Sequence, residues 1–408
     1  MIFSEYPYTN FHELNLDWVL MKVKQLGLKV DNFKALNSIK WAGYWDPSKV
    51  YEPYTVVRTA SHAYLSLKAV PANVLVTDGE YWAEIFDYSV INSIELQSTG
   101  DTTDRTAEIE AALSMYGRVI LGEGKFYTTG ITMPSQTIIM GAGASSVIML
   151  DPLVSSGAAV KMGSRCQVTH VKIAGNISDL TPDGTIGDRH GIEWTGSPML
   201  SGCITDVYFE NFTGAAIYAH DTTTSTNRGL MISGCMIRTC NVGIYFRKNT
   251  EYHKVVGCTI TTNYYGILNR GGNNTIVGCG LDSNTIGVQE DEDEGSNGGR
   301  MTLSGCSINH AASASYSVYI KASGAIITGC HFNFGAIYID DALKGVIIDG
   351  CLFGQQAPIT IAAGLCNIIQ SCRMHSAAQN PVTFDNSSAA KLDNCYYRDG
   401  SAVVPTVI

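Results

Sequence analysis

The chemistry this 408-residue chain can offer sits in two pairs of carboxylates and a group of cationic and phenolic side chains. Glu193 with Asp221 is the first pair, and Asp340 with Asp385 is the second. Two carboxyls ~5 Å apart suit retaining hydrolysis of a glycosidic bond, and a gap of ~6.5–9.5 Å suits inversion. Tyr218, His220, Tyr245, Arg247 and Arg270 accompany them. Tyrosine rings stack on sugar faces, and the arginine fork grips carboxylate or sulfate. A different reaction is open to the same set: Arg247 and Arg270 neutralise a uronate carboxylate while His220 or Tyr245 removes its α-proton. Hydrolysis, elimination and binding without bond cleavage therefore all remain open. Each needs residues far apart in the chain to meet on one surface.

The element that brings them together is written in the cysteines. Cys235, Cys258, Cys279, Cys306, Cys330, Cys351, Cys372 and Cys395 are separated by 23, 21, 27, 24, 21, 21 and 23 residues. The text around them repeats, as in "ISGCMIRTCNVGIYF", "VVGCTITTNYYGILN" and "ITGCHFNFGAIYI". A fixed period of this length marks stacked units, none able to bury its apolar face alone. Each unit holds short runs of alternating apolar residues bounded by Gly, Asn and Ser, which reads as strand. No 3.6-residue apolar pattern persists through a unit, so helical solenoids fit poorly. The expected fold is all-β: a right-handed parallel β-helix with coils ~4.8 Å apart, an N-terminal helix and a small β-rich head module.

Stacked in this way, the cysteines form an internal ladder of free thiols. No C-x-x-C spacing occurs and no secretory leader is visible, so zinc and disulfide frameworks are not expected. That places assembly in a reducing cytoplasm. The net charge of −10, with 37 acidic against 27 basic residues, argues against nucleic acid. No apolar run reaches membrane-spanning length, so membrane insertion is not expected.

Four regions are expected along the chain: residues 1–38, 39–92, 93–395 and 396–408. In the first, Leu16, Val19, Val23, Leu26, Val30 and Phe33 make a heptad seam, with Asn15 as cap and Gly27 as a weak point. A helix this short needs a partner, so the seam reads as an oligomerising or docking contact. The second region is rich in aromatics, including Trp41, Tyr44, Trp45, Tyr51, Tyr54, Tyr64, Tyr81 and Trp82. These serve either as the core of a small domain or as sugar-stacking rings. The third is the solenoid, opened by a helix over Thr106–Met115 that buries Ile109, Ala112 and Leu113 over the first coil. The last region is expected to be a tail.

Aligning the repeats on their final strand sets Ile192, Ile217, Ile244, Ile267, Val288, Val318, Ile337, Ile359 and Val382 in one inward column. Alternation then points Glu193, Tyr218, Tyr245, Leu268, Gln289, Tyr319, Tyr338, Thr360 and Thr383 outward. A second outward column runs Thr195, His220, Arg247, Arg270, Asp291, Lys321, Asp340, Ala362 and Asp385. Such a face serves as a glycan groove, a subunit interface or plain solvated surface. The insertion Asn176–Gly191 is expected to bring Asp183, Asp188 and His190 to its rim. No resident metal is expected. A calcium ion at Glu290, Asp291, Glu292 and Asp293 is the alternative, set against the usual reading of an acidic run as solvated.

Asp101–Leu113, Gly117–Tyr127 and Ile139–Gly143 resemble the opening of the pectate-lyase-like β-helix superfamily seen in phage tailspikes and pre-neck appendages, with Glu123 where that pattern has proline. Residues 10–26, "NFHELNLDWVLMKVKQL", resemble the head-binding start of tail proteins from small phages of Gram-positive bacteria. "YWDPSKVYEPYTVV" in the second region resembles small chitin-binding modules. These resemblances imply a virion spike, assembled in the bacterial cytoplasm and trimeric in most relatives. Its partners would be tail or connector proteins and a host capsular or cell-surface polysaccharide. Receptor binding without catalysis and a purely structural tail role are the alternatives. Only 13 residues follow Cys395, so no C-terminal trimerisation domain of the kind many spikes carry is expected.

Overall fold

The computed structural model describes residues 40–53, 55–58, 62–87, 93–178, 180–195, 200–220, 227–291, 300–310, 316–321, 324–340, 345–362, 367–384 and 390–407. The heptad seam of residues 11–36 therefore lies outside the described residues. Two compact units divide at Asn92/Ser93.

In the first unit, the strands Lys40–Tyr44, Thr55–Arg58, His62–Ser66 and Trp82–Asp87 form one sheet in that order. Its first pair is parallel and the other two are antiparallel. Tyr51, Val57, Tyr64, Val70, Val76 and Trp82 make its core, and Tyr51 meets Trp82 edge-on at 5.4 Å. These three aromatics are interior groups of a domain with little else to bury, so they are not available to stack on a sugar.

The second unit is a right-handed β-solenoid whose strands stack in three parallel columns. The helix Thr106–Tyr116 opens it, with Ile109, Ala112 and Leu113 buried. In the first two columns, Ile138–Leu150 and Gln167–Ala174 run unbroken across a corner that later coils turn sharply. The third column is twelve strands deep, from Ile131–Thr132 to Thr406–Val407. Its register runs Val160, Ile192, Ile217, Ile244, Ile267, Val288, Val318, Ile337, Ile359, Val382, as the alternation of the repeats predicts.

The corner between the first and second columns explains the Gly-Cys signature. Gly234, Gly257, Gly278, Gly305, Gly329 and Gly350 hold φ near +60°, a region that favours glycine, and Ser371 and Asn394 do the same in the last coils. The next residue turns inward and is the ladder cysteine, at most 6% exposed in every coil. Each thiol lies 3.5–3.8 Å from a carbonyl oxygen of the preceding coil, so its weak S–H donor is satisfied inside the core. Every described cysteine is free.

Residues 396–407 correct the expected tail. Tyr396–Tyr397 pairs with Arg373–Met374, and Thr406–Val407 pairs with Thr383–Phe384, so the coil marked by Cys395 is completed through its second and third columns.

Candidate functional site

The third column presents the candidate site on its outer face. Parallel register stacks Lys161, Glu193, Tyr218, Tyr245, Leu268, Gln289, Tyr319, Tyr338, Thr360 and Thr383 one above another. Backbone hydrogen bonds carry Arg247, Arg270, Asp291, Lys321, Asp340 and Ala362 along the second ladder. Both predicted columns thus exist over their described members.

The face is not uniformly open. Tyr245 is 5% exposed, Leu268 0% and Gln289 5%, where alternation alone predicts outward side chains. Ala215, Val242, Tyr245 and Leu268 form an apolar cluster of their own outside the solenoid core, with Tyr218 and Tyr265 packed on it. Strand alternation decides which side of the sheet a residue takes. It does not decide whether that side is covered.

Two polar zones flank this closed stretch. In the first, the Tyr218 ring lies between His190 and His220 at 4.4 and 4.3 Å, nearly parallel to both. His220 Nε2 is 2.8 Å from Glu193 Oε1. Arg247 Nη1 donates to the Tyr218 hydroxyl at 3.2 Å. One coil on, Arg270 donates to the Tyr245 hydroxyl at 3.0 Å and pairs with Asp291 at 3.3 Å. In the second zone, Tyr316, Tyr319 and Tyr338 lie within 5.2–5.6 Å of one another. Tyr319 donates its hydroxyl to Asp340 at 3.0 Å, and Lys321 Nζ sits 5.1 Å from the Tyr319 ring.

Electrostatics assigns protonation states in the first zone. The hydrogen bond with His220 holds the Glu193 carboxyl below its ordinary range, against the opposing effect of burial. Glu193 is therefore ionised at neutral pH, and its Oε1 shares a hydrogen bond with His220 Nε2. Burial pushes His190 down to about 4, and its Nδ1 accepts the Ala215 N–H at 2.9 Å, so that ring is neutral. In the second zone, burial and then the bond to Asp340 push the Tyr319 phenol up to about 12.

Neither predicted carboxylate pair is complete among the described residues, because Asp221 and Asp385 lie outside them. Glu193 and Asp340 are six rungs apart, roughly 29 Å at ~4.8 Å per rung, so they cannot act on one bond. Of the residues named for calcium, Glu290 is fully buried and accepts the Met301 N–H at 3.1 Å. Asp291 faces Arg270 on the other side of the sheet. The same alternation that built the columns separates these neighbours, and Glu292 and Asp293 lie outside the described residues. No group of metal-ligating side chains occurs among the described residues.

The insertion before Arg189 departs from expectation. Asp183 N–H donates to Asn241 Oδ1 at 3.1 Å, and Asn241 Nδ2 donates to the Thr185 oxygen at 2.5 Å. The insertion thus carries Asp183 along the edge of the face toward later coils, while Asp188 stays near enough to His190 to act on its charge. His190 belongs to the strand Arg189–Thr195, packed against Tyr218. Three contributors were missed in the sequence: Lys161, Tyr265 and Tyr316. Carrying the outward column one coil upstream of Glu193 reaches Lys161. The two tyrosines stand three residues before Leu268 and Tyr319, where the strand begins and strict alternation does not reach.

Fold and face together define a class: a parallel β-helix carrying a polar, aromatic ladder along one outer sheet. Residues 293–404 match the family model described as right handed beta helix region. No curated protein matches. Among solved structures, the A-module of mannuronan C-5 epimerase AlgE4 from Azotobacter vinelandii aligns at 13% identity and a TM-score of 0.60, covering 76% of this chain and 95% of that one. The tailspike protein gp49 of Acinetobacter baumannii bacteriophage Fri1, a capsular polysaccharide depolymerase, aligns at 10% identity and 0.60, covering 91% and 75%. The N-terminal fragment of bacteriophage Phi29 gene product 12 aligns at 14% identity and 0.50, covering 73% and 62%. At these identities the likeness is one of fold.

Proposed function

We propose that this chain is a bacteriophage spike or appendage subunit that binds an acidic surface polysaccharide of its host along the outer face of the third column. The Tyr218 stack carries the reading. A phenol stacked between two imidazoles, with Arg247 on its hydroxyl and Glu193 on His220, sets an aromatic stack, a guanidinium and a carboxylate on three neighbouring rungs. Those are the groups that recognise a charged sugar. The virion location, homotrimeric assembly and docking to tail or connector proteins belong to the same proposal. They rest on the resemblance of residues 10–26 and 101–143 to tail proteins. Binding measured against a panel of capsular and wall polysaccharides tests it. Binding lost in Arg247→Ala and Tyr218→Ala is the expected result, and no binding by the unmodified chain refutes it.

The Glu193–His220 pair also favours a reaction over binding alone, and among reactions it favours elimination. An ionised Glu193 cannot serve as the general acid of a hydrolase. It can orient His220 as a base. In this reading His220 would take the proton α to a uronate carboxylate. The released electron pair forms the C4–C5 double bond as the C4–O bond breaks, and the leaving oxygen takes a proton from water. Absorbance from unsaturated uronate, lost in His220→Ala, is the expected readout. New reducing ends without that absorbance would point to hydrolysis, and binding without product to an adhesin.

A further inference from the structure

We infer that the Tyr316–Tyr319–Tyr338 cluster is a second glycan-binding zone, stacking on the less polar faces of sugar units, so that recognition is bipartite and depends on chain length. This rests on the glycan reading of the first zone and extends it.

The first observation is that these rings do no work for the fold. Tyr218, Tyr245 and Tyr265 pack on the satellite apolar cluster. Tyr316, Tyr319 and Tyr338 pack on none of the described apolar clusters and are half-buried on an outer sheet surface. The second is that the cluster is held in place before any ligand arrives. Tyr319 is tied to Asp340 at 3.0 Å, lies against Tyr316 at 5.2 Å and has Lys321 near its ring. Tyr338 stands edge-on to Tyr319 at an interplanar angle of 71°. Fixed aromatic surface rimmed by one carboxylate and one ammonium suits pyranose units, whose C–H faces stack and whose hydroxyls bond both charges.

The third observation is spacing. Register counts five steps from Tyr218 to Tyr338, through Tyr245, Leu268, Gln289 and Tyr319. That is about 24 Å at ~4.8 Å per step. The stretch between is closed by buried Tyr245, Leu268 and Gln289. A ligand in the first zone reaches the second only if it is long and lies along the solenoid axis. Two zones on one rigid sheet make the second contact intramolecular, which raises affinity without strengthening either contact.

The test takes whichever acidic capsular or wall polysaccharide binds the full chain and cuts it into size fractions. Affinity of each fraction is measured for the unmodified protein, Tyr338→Thr and Tyr316→Ala. Both substitutions follow the fold's own usage, since Thr360 succeeds Tyr338 and Ala336 succeeds Tyr316 in register. Equal melting temperatures confirm that they leave the solenoid intact. The expected result is a step of ~10-fold or more in affinity once fragments exceed the inter-zone distance, lost in both variants. Short fragments should bind all three proteins alike. Long fragments binding Tyr338→Thr and Tyr316→Ala as tightly as the unmodified chain would overturn the second zone and leave the first standing. An affinity that does not rise with length in the unmodified chain would do the same. No binding of any polysaccharide would remove both.

Discussion

Acid should unfold this protein through its buried histidines before its carboxylates titrate. His190, His253 and His310 are 7%, 0% and 0% exposed. Burial pushes their rings down from 6.5 to about 4, about 3 and about 4. Two of the three are also locked neutral by geometry. His190 Nδ1 accepts the Ala215 N–H at 2.9 Å, and His253 Nδ1 accepts the Leu230 N–H at 3.1 Å, so protonation would destroy both bonds. His253 is further enclosed by Phe246 and Trp194 at 5.0 and 5.2 Å. Between pH 6.5 and about 4 the unfolded chain binds protons that the folded chain refuses, so stability falls as pH falls. At pH 5 each ring contributes about 2 kcal/mol of this loss relative to pH 7.5, or ~6 kcal/mol for three. Glu193 and Glu210, whose carboxyls sit below their usual range, add their losses only at lower pH. Denaturant midpoints at constant ionic strength from pH 7.5 to 5 measure the slope. His310→Asn should remove about a third of it with little change at neutral pH. An added Cβ on Gly287 would meet His310 as one on Gly266 would meet Asn284, so asparagine already suits that place in the coil. A flat midpoint across this range, or a slope unchanged in His310→Asn, would refute the reasoning.

Two further outcomes probe the coil itself. Gly305→Ala should cost about 1–2 kcal/mol, because a residue with φ of +60° and nothing within 4 Å of its added Cβ meets backbone strain alone. Gly266→Ala should cost more, since its Cβ would lie 2.5 Å from the Gly287 carbonyl oxygen; equal denaturant midpoints for the two variants would contradict this. The ladder thiols should label only as fast as the chain unfolds, because each is buried and hydrogen-bonded, and burial pushes even the neighbouring Cys240 up to about 12. Prompt labelling of any ladder cysteine in the folded protein, followed by mass spectrometry, would contradict the packing described.

The repeats made the fold legible because two constraints act in every coil. One is the inward small residue after a left-handed corner, and the other is the apolar third-column residue beneath its neighbours. Both recur at one interval and need no knowledge of distant contacts, so Ile192 through Val382 could be aligned by eye. The final coil keeps the Cys395 mark, but its second and third columns, Tyr396–Tyr397 and Thr406–Val407, follow no repeated text and read as a tail. The interior histidines and asparagines were equally silent. Asn263 satisfies the Cys240 N–H at 2.9 Å, and Asn284 the Asn263 N–H at 3.0 Å, from positions that in the text look like loop residues.

The site was half legible for a related reason. A periodic sheet converts sequence spacing into adjacency, which is why Tyr218, Tyr245, Arg247 and Arg270 were found in order. It says nothing about what lies on top of the sheet, which depends on how side chains pack on one another: Tyr265 onto the cluster of Ala215, Val242, Tyr245 and Leu268, Arg270 onto Tyr245, His190 onto Tyr218. Those sideways contacts turn one uniform strip into a charged end, a sealed middle and an aromatic end. The columns therefore do not by themselves define a binding track. Where Tyr245, Leu268 and Gln289 pack they close the sheet, and the half-buried rings of Tyr218 and Tyr338 lie on either side of that stretch.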